Sequence, residues 1–281
     1  MVSITTGASL AKSIFPIIGS QLTTALRLGL AAVVLSILFR SWQHHPSREE
    51  LKRILPYGAA LAGMNLLFYL SIARIPLGIA LALEFTGPLA VALYGTRQRQ
   101  DLLWVLFAVT GVALLLPITD LSAPLDPLGL ILALAAGVFW GIYILAGRRL
   151  ALIGQETGMR GGIMVAWGML TAALVVAPVG LITSTAVHMN ARLWMQAFGV
   201  GVLSSAVPYS LEMVALKQLP TRIFGILTSL EPVVGALSGF IFLSERLSWM
   251  QALAIALIVI ASAGSTYVES RRKHVEAMAL P

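Results

Sequence analysis

Cysteine is absent from the 281-residue chain, which excludes disulfide staples and thiolate metal sites. A protein seated in lipid needs neither, so this absence says little about compartment. Charge is also scarce, at 11% Asp, Glu, Lys and Arg, against about a quarter in an ordinary soluble domain. The four histidines, His44, His45, His188 and His274, fall between or beyond the apolar runs, and no HExxH occurs. A zinc hydrolase centre therefore has no ligand set. No lysine follows a GxxxxG loop, and no polar stretch is long enough to fold as a nucleotide-binding domain. Both absences argue against an ATP-driven pump. No cofactor and no metal is expected.

Apolar sequence is what the chain has in abundance, with 58% hydrophobic residues and a mean hydropathy of +0.89. Ten apolar runs recur, at 1–17, 20–40, 54–73, 76–96, 102–118, 127–147, 161–181, 193–216, 220–243 and 248–268. Each approaches the roughly 20 residues needed to cross a bilayer as a helix. The reading is an all-α polytopic membrane protein of ten transmembrane helices, forming a single membrane domain. The first run is the weakest and lacks the basic flank and long apolar core of a cleavable signal. It is read as part of a helix, with further residues expected upstream.

The net charge of +7 and pI of about 10.1 would point to nucleic acid in a soluble protein. Here the basic residues sit in short loops beside helix ends, where they act as orientation signals. Fourteen of the 19 Lys and Arg follow even-numbered runs, whereas Arg74, Arg192 and Arg246 lie on the opposite side. Lys12 and Arg27 fall nearest the first two membrane runs. Both termini are therefore expected in the cytoplasm, with lipid as the surrounding partner and no nucleic acid.

Sliding the chain by 144 residues sets Pro76 on Pro220 and Pro88 on Pro232. Ile79, Leu83, Ala92 and Leu93 then meet Ile223, Leu227, Ala236 and Leu237. The prolines carry the argument, because each removes one backbone hydrogen bond at the same depth of two helices five apart in order. An odd offset reverses orientation. The expected plan is two inverted five-helix repeats, 1–120 and 127–270, with substrate held near the midplane where they meet.

Glu84 lies inside the fourth run, where an ionised residue costs about 2.5 to 3.5 kcal/mol on an insertion scale and ordinarily faces a bundle interior or a wet cavity. Pro88, four residues on, lacks the N–H that would bond the Glu84 carbonyl. The plainer alternative is a protonated Glu84 hydrogen-bonded to a neighbouring helix. Glu212 lies four residues after Pro208, and Glu231 directly precedes Pro232. For a coupling proton, Glu84 and Glu212 rank above Glu231, whose position equally suits capping the break. Helical spacing places Asn65 with Tyr69, Trp140 with Tyr143 and Tyr209 with Glu212 on shared faces. Trp140 and Tyr143 fit a cavity wall or lipid-facing packing equally well. Trp42, Trp194 and Trp249 read as interfacial anchors. The Gly137/Gly141 and Gly235/Gly239 spacings read as close helix contacts.

GASLAKSIFP, LEFTGPLAVALYG and VPYSLEMVALKQLPTRIFGILTSLEPVVGALSG resemble the EamA branch of the drug/metabolite transporter superfamily, and within it the bacterial inner-membrane exporters of threonine and homoserine. The resemblance implies ten helices in inverted repeats, a central cavity, and export of small amino acids or related metabolites across the bacterial inner membrane. Candidate cavity-lining residues are Lys12, Asn65, Tyr69, Glu84, Trp140, Tyr143, Tyr209 and Glu212, with Pro88 and Pro232 as helix breaks and protons as a candidate coupling ion. Export of aromatic amino acids or drug-like amphiphiles is the alternative. A membrane-embedded enzyme ranks below both, since no interfacial His or acid cluster is present to do chemistry.

Overall fold

A computed structural model describes residues 1–93, 101–114, 125–183, 189–208, 211 and 229–279. Those residues are helical throughout, without a strand among them. The elements in order are α1 (Val2–Ile18), α2 (Ser20–Phe39), α3 (Arg48–Ile72), α4 (Leu77–Glu84), α5 (Thr86–Leu93), α6 (Asp101–Leu114), α7 (Pro127–Thr157), α8 (Gly161–Thr183), α9 (Ala191–Gly201), α10 (Glu231–Leu243) and α11 (Trp249–Ala279). A single π-helical stretch, Val202–Ala206, continues α9. Helices α2, α3, α7 and α8 and the Trp249–Val268 part of α11 are long and apolar enough to cross a membrane. Glu212, Tyr209, Pro220 and the junction at 115–124 between the two expected halves lie outside the described residues.

Local chemistry explains the helix starts. Ser47 and Glu50 form a capping box, with Glu50 N–H donating to Ser47 Oγ at 3.2 Å and Ser47 N–H donating to Glu50 Oε2 at 2.7 Å. The helix thus begins six residues before the apolar run at 54, and its first turn is polar. Asp126 caps α7 by accepting from Leu128 N–H at 2.9 Å, with Pro127 in the first turn. Asn190 caps α9 and Ser248 caps α11 in the same manner. Helices α7 and α11 run ten or so residues past the apolar runs that predict them. At about 1.5 Å per residue they outreach a hydrocarbon core of about 30 Å. Gly19 joins α1 to α2 alone, at φ 78 and ψ 157. That region is open in practice only to glycine.

The fourth apolar run forms two helices rather than one, parted at Phe85. Every residue of α4 is buried, so this short helix is the axis on which the others pack. It rests on α10 and α7, while α3 packs on α7 and α8, α2 on α8, and α6 on α11. Gly78 faces Ala236, and Gly235 faces Leu81. The core around α4 includes Tyr69, Ile72, Ile79, Leu83, Ala133, Ala136 and Ile258. Outward, α7, α8 and α10 expose Ile131, Val138, Leu174, Ile182, Phe240 and Ile241. Such a surface would aggregate in water and is satisfied in lipid.

Polar ties mark both ends of the bundle. At one end Arg74 Nη1 pairs with Asp126 Oδ2 at 3.0 Å, and Lys12 Nζ pairs with Glu245 Oε1 at 2.5 Å. At the other, Glu50 Oε1 accepts from Thr157 Oγ1 at 2.7 Å, with His44 Nε2 at 3.2 Å.

Candidate functional site

Four of the apolar runs bring polar groups into the interior around α4. Arg27 enters from the middle of α2 and is 4% exposed. Its Nε donates to Ser205 Oγ at 3.0 Å and its Nη2 to the Ser204 carbonyl at 2.9 Å. Both acceptors belong to the π-helical stretch, where Val207 N–H reaches back to the Val202 carbonyl. A π turn distorts the regular ladder and recurs at functional sites. The guanidinium also lies over the Tyr69 ring, 5.0 Å from its centroid. Tyr69 is fully buried, and its hydroxyl has no hydrogen-bond partner among the described residues.

Glu84 closes α4 and is 5% exposed. Glu231 opens α10, itself buried, and Pro232 follows in the first turn. Pro88 likewise occupies the first turn of α5. In a first turn a proline leaves no intrahelical bond unmade, so each proline starts a helical segment instead of bending one. The Glu84 carbonyl left exposed by the break faces α7: a Cβ built on Gly137 would stand 2.7 Å from that oxygen. A Cβ on Gly87 would collide with the Gly137 carbonyl. The Gly137/Gly141 pair therefore lets α7 lie directly against the break.

The other residues singled out in the sequence are placed as follows. Asn65 is buried and donates from Nδ2 to the Leu61 carbonyl at 2.8 Å, one turn back on α3. Tyr143 stacks on Tyr57 with ring centroids 4.8 Å apart and hydroxyls 3.1 Å apart. Trp140 meets Phe85, the residue at the break, edge to face at 5.0 Å. Trp140 and Tyr143 thus share a helix face but engage different partners. Lys12 is committed to Glu245 and to the Ile75 carbonyl, at 2.9 Å. Glu245 Oε2 in turn accepts Leu77 N–H at 2.9 Å. This group ties α1, the turn before α4 and the turn after α10. Trp42, Trp194 and Trp249 are exposed near helix ends. Tyr209 and Glu212 lie outside the described residues.

Arg27 is the residue that the positive-inside count obscured, because tallying every basic side chain as an orientation signal hid its depth. The signal was present: it is the eighth residue of the 20-residue α2, and an arginine that deep in an apolar run is subject to the same cost as Glu84.

An apolar helical bundle with an arginine and carboxyl groups buried in its interior defines a membrane transporter more readily than any soluble class. The chain belongs to the EamA-like transporter family, whose model matches residues 127–267. It is 46% identical over 98% of its length to the threonine/homoserine exporter RhtA of Escherichia coli (strain K12), covering 92% of that protein. The figures for the threonine/homoserine exporter RhtA of Salmonella typhimurium (strain LT2) are the same. Protein PecM of Dickeya dadantii is 25% identical over 84% of the chain and 80% of its own. Solved structures match in fold, among them a crystal structure with a TM-score of 0.65 and 22% identity over 97% of this chain and 96% of its own. Membership in this family makes the chain a transporter and not an enzyme.

Proposed function

We propose that the chain exports small amino acids of the threonine and homoserine kind from the cytoplasm by alternating access. Two inverted five-helix repeats, ten spans in all, rock around the centre and expose it to each side in turn, in the bacterial inner membrane with both termini cytoplasmic. The observation that carries the reading is the charged centre itself. Arg27 and Glu84 are buried in an apolar bundle, where charge is expensive and ordinarily marks a substrate or ion path. The contact of α4, which leads into the Pro88-bearing α5, with the Pro232-bearing α10 supports a site between halves. The 46% identity to a threonine/homoserine exporter supports a small hydroxylated amino acid as substrate. Protons remain the proposed coupling ion, loaded on Glu84 or on Glu212.

The test is efflux from liposomes containing the purified protein and loaded with a panel of amino acids. Threonine and homoserine should leave faster than phenylalanine or tryptophan, and empty liposomes should retain all four. Preferential loss of the aromatic pair would favour the aromatic-exporter reading instead.

A further inference from the structure

At the end of the bundle that carries Arg74 and Glu245, charged groups fasten the expected first half of the chain to the second. Lys12 of α1 pairs with Glu245, beyond α10, at 2.5 Å. Leu77 N–H, at the start of α4, donates to the other oxygen of the same carboxylate at 2.9 Å. Arg74, in the turn before α4, pairs with Asp126, which caps α7. Helix α4 has no side-chain cap of its own, because its N-cap position is Pro76. One of its unpaired N–H groups is therefore satisfied from across the boundary between the halves, by a carboxylate that the helix N-terminus also attracts.

The backbone after α10 aims that carboxylate. Ser244 adopts φ 56 and ψ 27, a left-handed conformation that a serine takes at a cost. Glu245 N–H then closes the turn on the Gly239 carbonyl at 3.1 Å. The Glu245 side chain lies over Gly239, where a Cβ would stand 2.3 Å from Oε2. Any side chain at 239 would push the carboxylate off Leu77. Gly239 thus makes room for Glu245.

These bonds are placed where they can part. The Lys12 and Glu245 side chains keep 22% and 13% of their surface exposed, so water reaches them and would hydrate both if they separated. A pair fully buried in the core would instead be left as uncompensated charge. Inward of the pair, α1 and α10 meet through the Thr5 and Ser238 hydroxyls at 3.0 Å, and α4 meets α10 through Gly78 and Ala236. Small groups of this kind do not interlock.

We propose that Glu245, held by Lys12 and by the first N–H of α4, is the latch of an outer gate. It closes the boundary between the halves on the face opposite the termini in the proposed topology, and it lets go when the halves part there to release substrate. The described conformation is the one with this gate shut. The inference rests on the alternating-access reading and assigns one of its two gates.

Two experiments on the full chain in liposomes test the latch, and the absence of native cysteine leaves the introduced thiols alone. In Lys12→Cys/Glu245→Cys, a short bifunctional thiosulfonate joining the two thiols should stop threonine efflux, and reduction should restore the rate seen before joining. In Ser238→Cys, a membrane-impermeant thiosulfonate added to the outer face should react slowly. Adding Glu245→Ala should accelerate that reaction about tenfold, the shift expected when the closed state loses a hydrogen bond to a charged group. Reaction from the cytoplasmic face should not accelerate. Efflux that continues through the joined pair overturns the inference. So does a Ser238→Cys thiol whose outer-face reactivity is the same with and without Glu245, and this labelling decides alone if the cysteine pair is inactive before joining. Wild-type liposomes that release no threonine sink the export reading instead, while the labelling, which needs no substrate, still reads the gate.

Discussion

In the proposed transport cycle Arg27 supplies fixed charge and Glu84 the means to carry a proton. Gln reproduces the shape and hydrogen bonding of a protonated Glu but cannot titrate. Efflux by Glu84→Gln should therefore lose the pH dependence of the wild-type protein when measured in liposomes across a range of external pH. Retention of both rate and pH profile would transfer the proton to another acid, with Glu212 first in line. Glycine matters here for space. In Gly137→Ala the new methyl meets the Glu84 carbonyl at 2.7 Å, and overpacking of this kind costs about 1 to 3 kcal/mol. The variant should melt lower in a thermal denaturation assay and should lose transport further than its expression level explains. Of this centre, Glu84 and Tyr69 were singled out in the sequence as candidate cavity-lining residues, the first from its cost in lipid and the second from the helix face it shares with Asn65; the structure buries both. Arg27 was not singled out, and no spacing rule could have joined it to Ser204 and Ser205, 177 and 178 residues away.

At the scale of the elements, the polar ties at the bundle ends hold turns that adjoin different helices. Lys12, Glu245, the Ile75 carbonyl and the Leu77 N–H form one hydrogen-bonded group that joins α1 to the turns flanking α4 and α10. Removing one member leaves a half-buried charge without its partner, so Lys12→Met and Glu245→Gln should each lower the melting temperature. The double variant should lose less than the two singles combined, a non-additivity that a double-mutant cycle reads directly. Strict additivity would mean the pair is incidental. The Arg74 to Asp126 tie responds to pH. The Arg74 guanidinium, helped by Leu128 N–H, holds the Asp126 carboxyl below its usual range. A carboxyl with a depressed folded-state pKa adds stability above its unfolded value and loses it as pH falls through the folded one. The melting-temperature difference between wild type and Arg74→Gln should accordingly be small at neutral pH, begin to shrink below about pH 4, the ordinary Asp range, and vanish only once the pH has fallen through the lowered folded-state value. Helix positions were legible because apolar run lengths report them, whereas the split at Phe85 was visible only as a proline. The sequence could not say that Pro88 and Pro232 start segments, because a proline reads alike at a kink and in a first turn until the neighbouring backbone is known.

For the whole molecule, the proposal makes a claim about sidedness and a claim about access. A reporter active only in the cytoplasm should work when fused after Lys273 and stay silent within the Asp120 to Asp126 loop; the reverse pattern contradicts the proposed ten-span topology. The all-helical membrane class was legible from hydropathy alone, since lipid tolerates little else. The way the bundle closes around α4 was not, because every apolar helix face looks alike in sequence and only small residues such as Gly78 and Gly137 hint at which faces touch. The central claim is that the Arg27 and Glu84 centre opens to each side in turn, and the lack of cysteine makes it directly measurable. In a Ser205→Cys protein reconstituted in one orientation, the thiol should react with a small membrane-impermeant thiosulfonate added to either face, and threonine should protect it from both. Reaction from one face only, unaffected by threonine, would contradict alternating access at this centre.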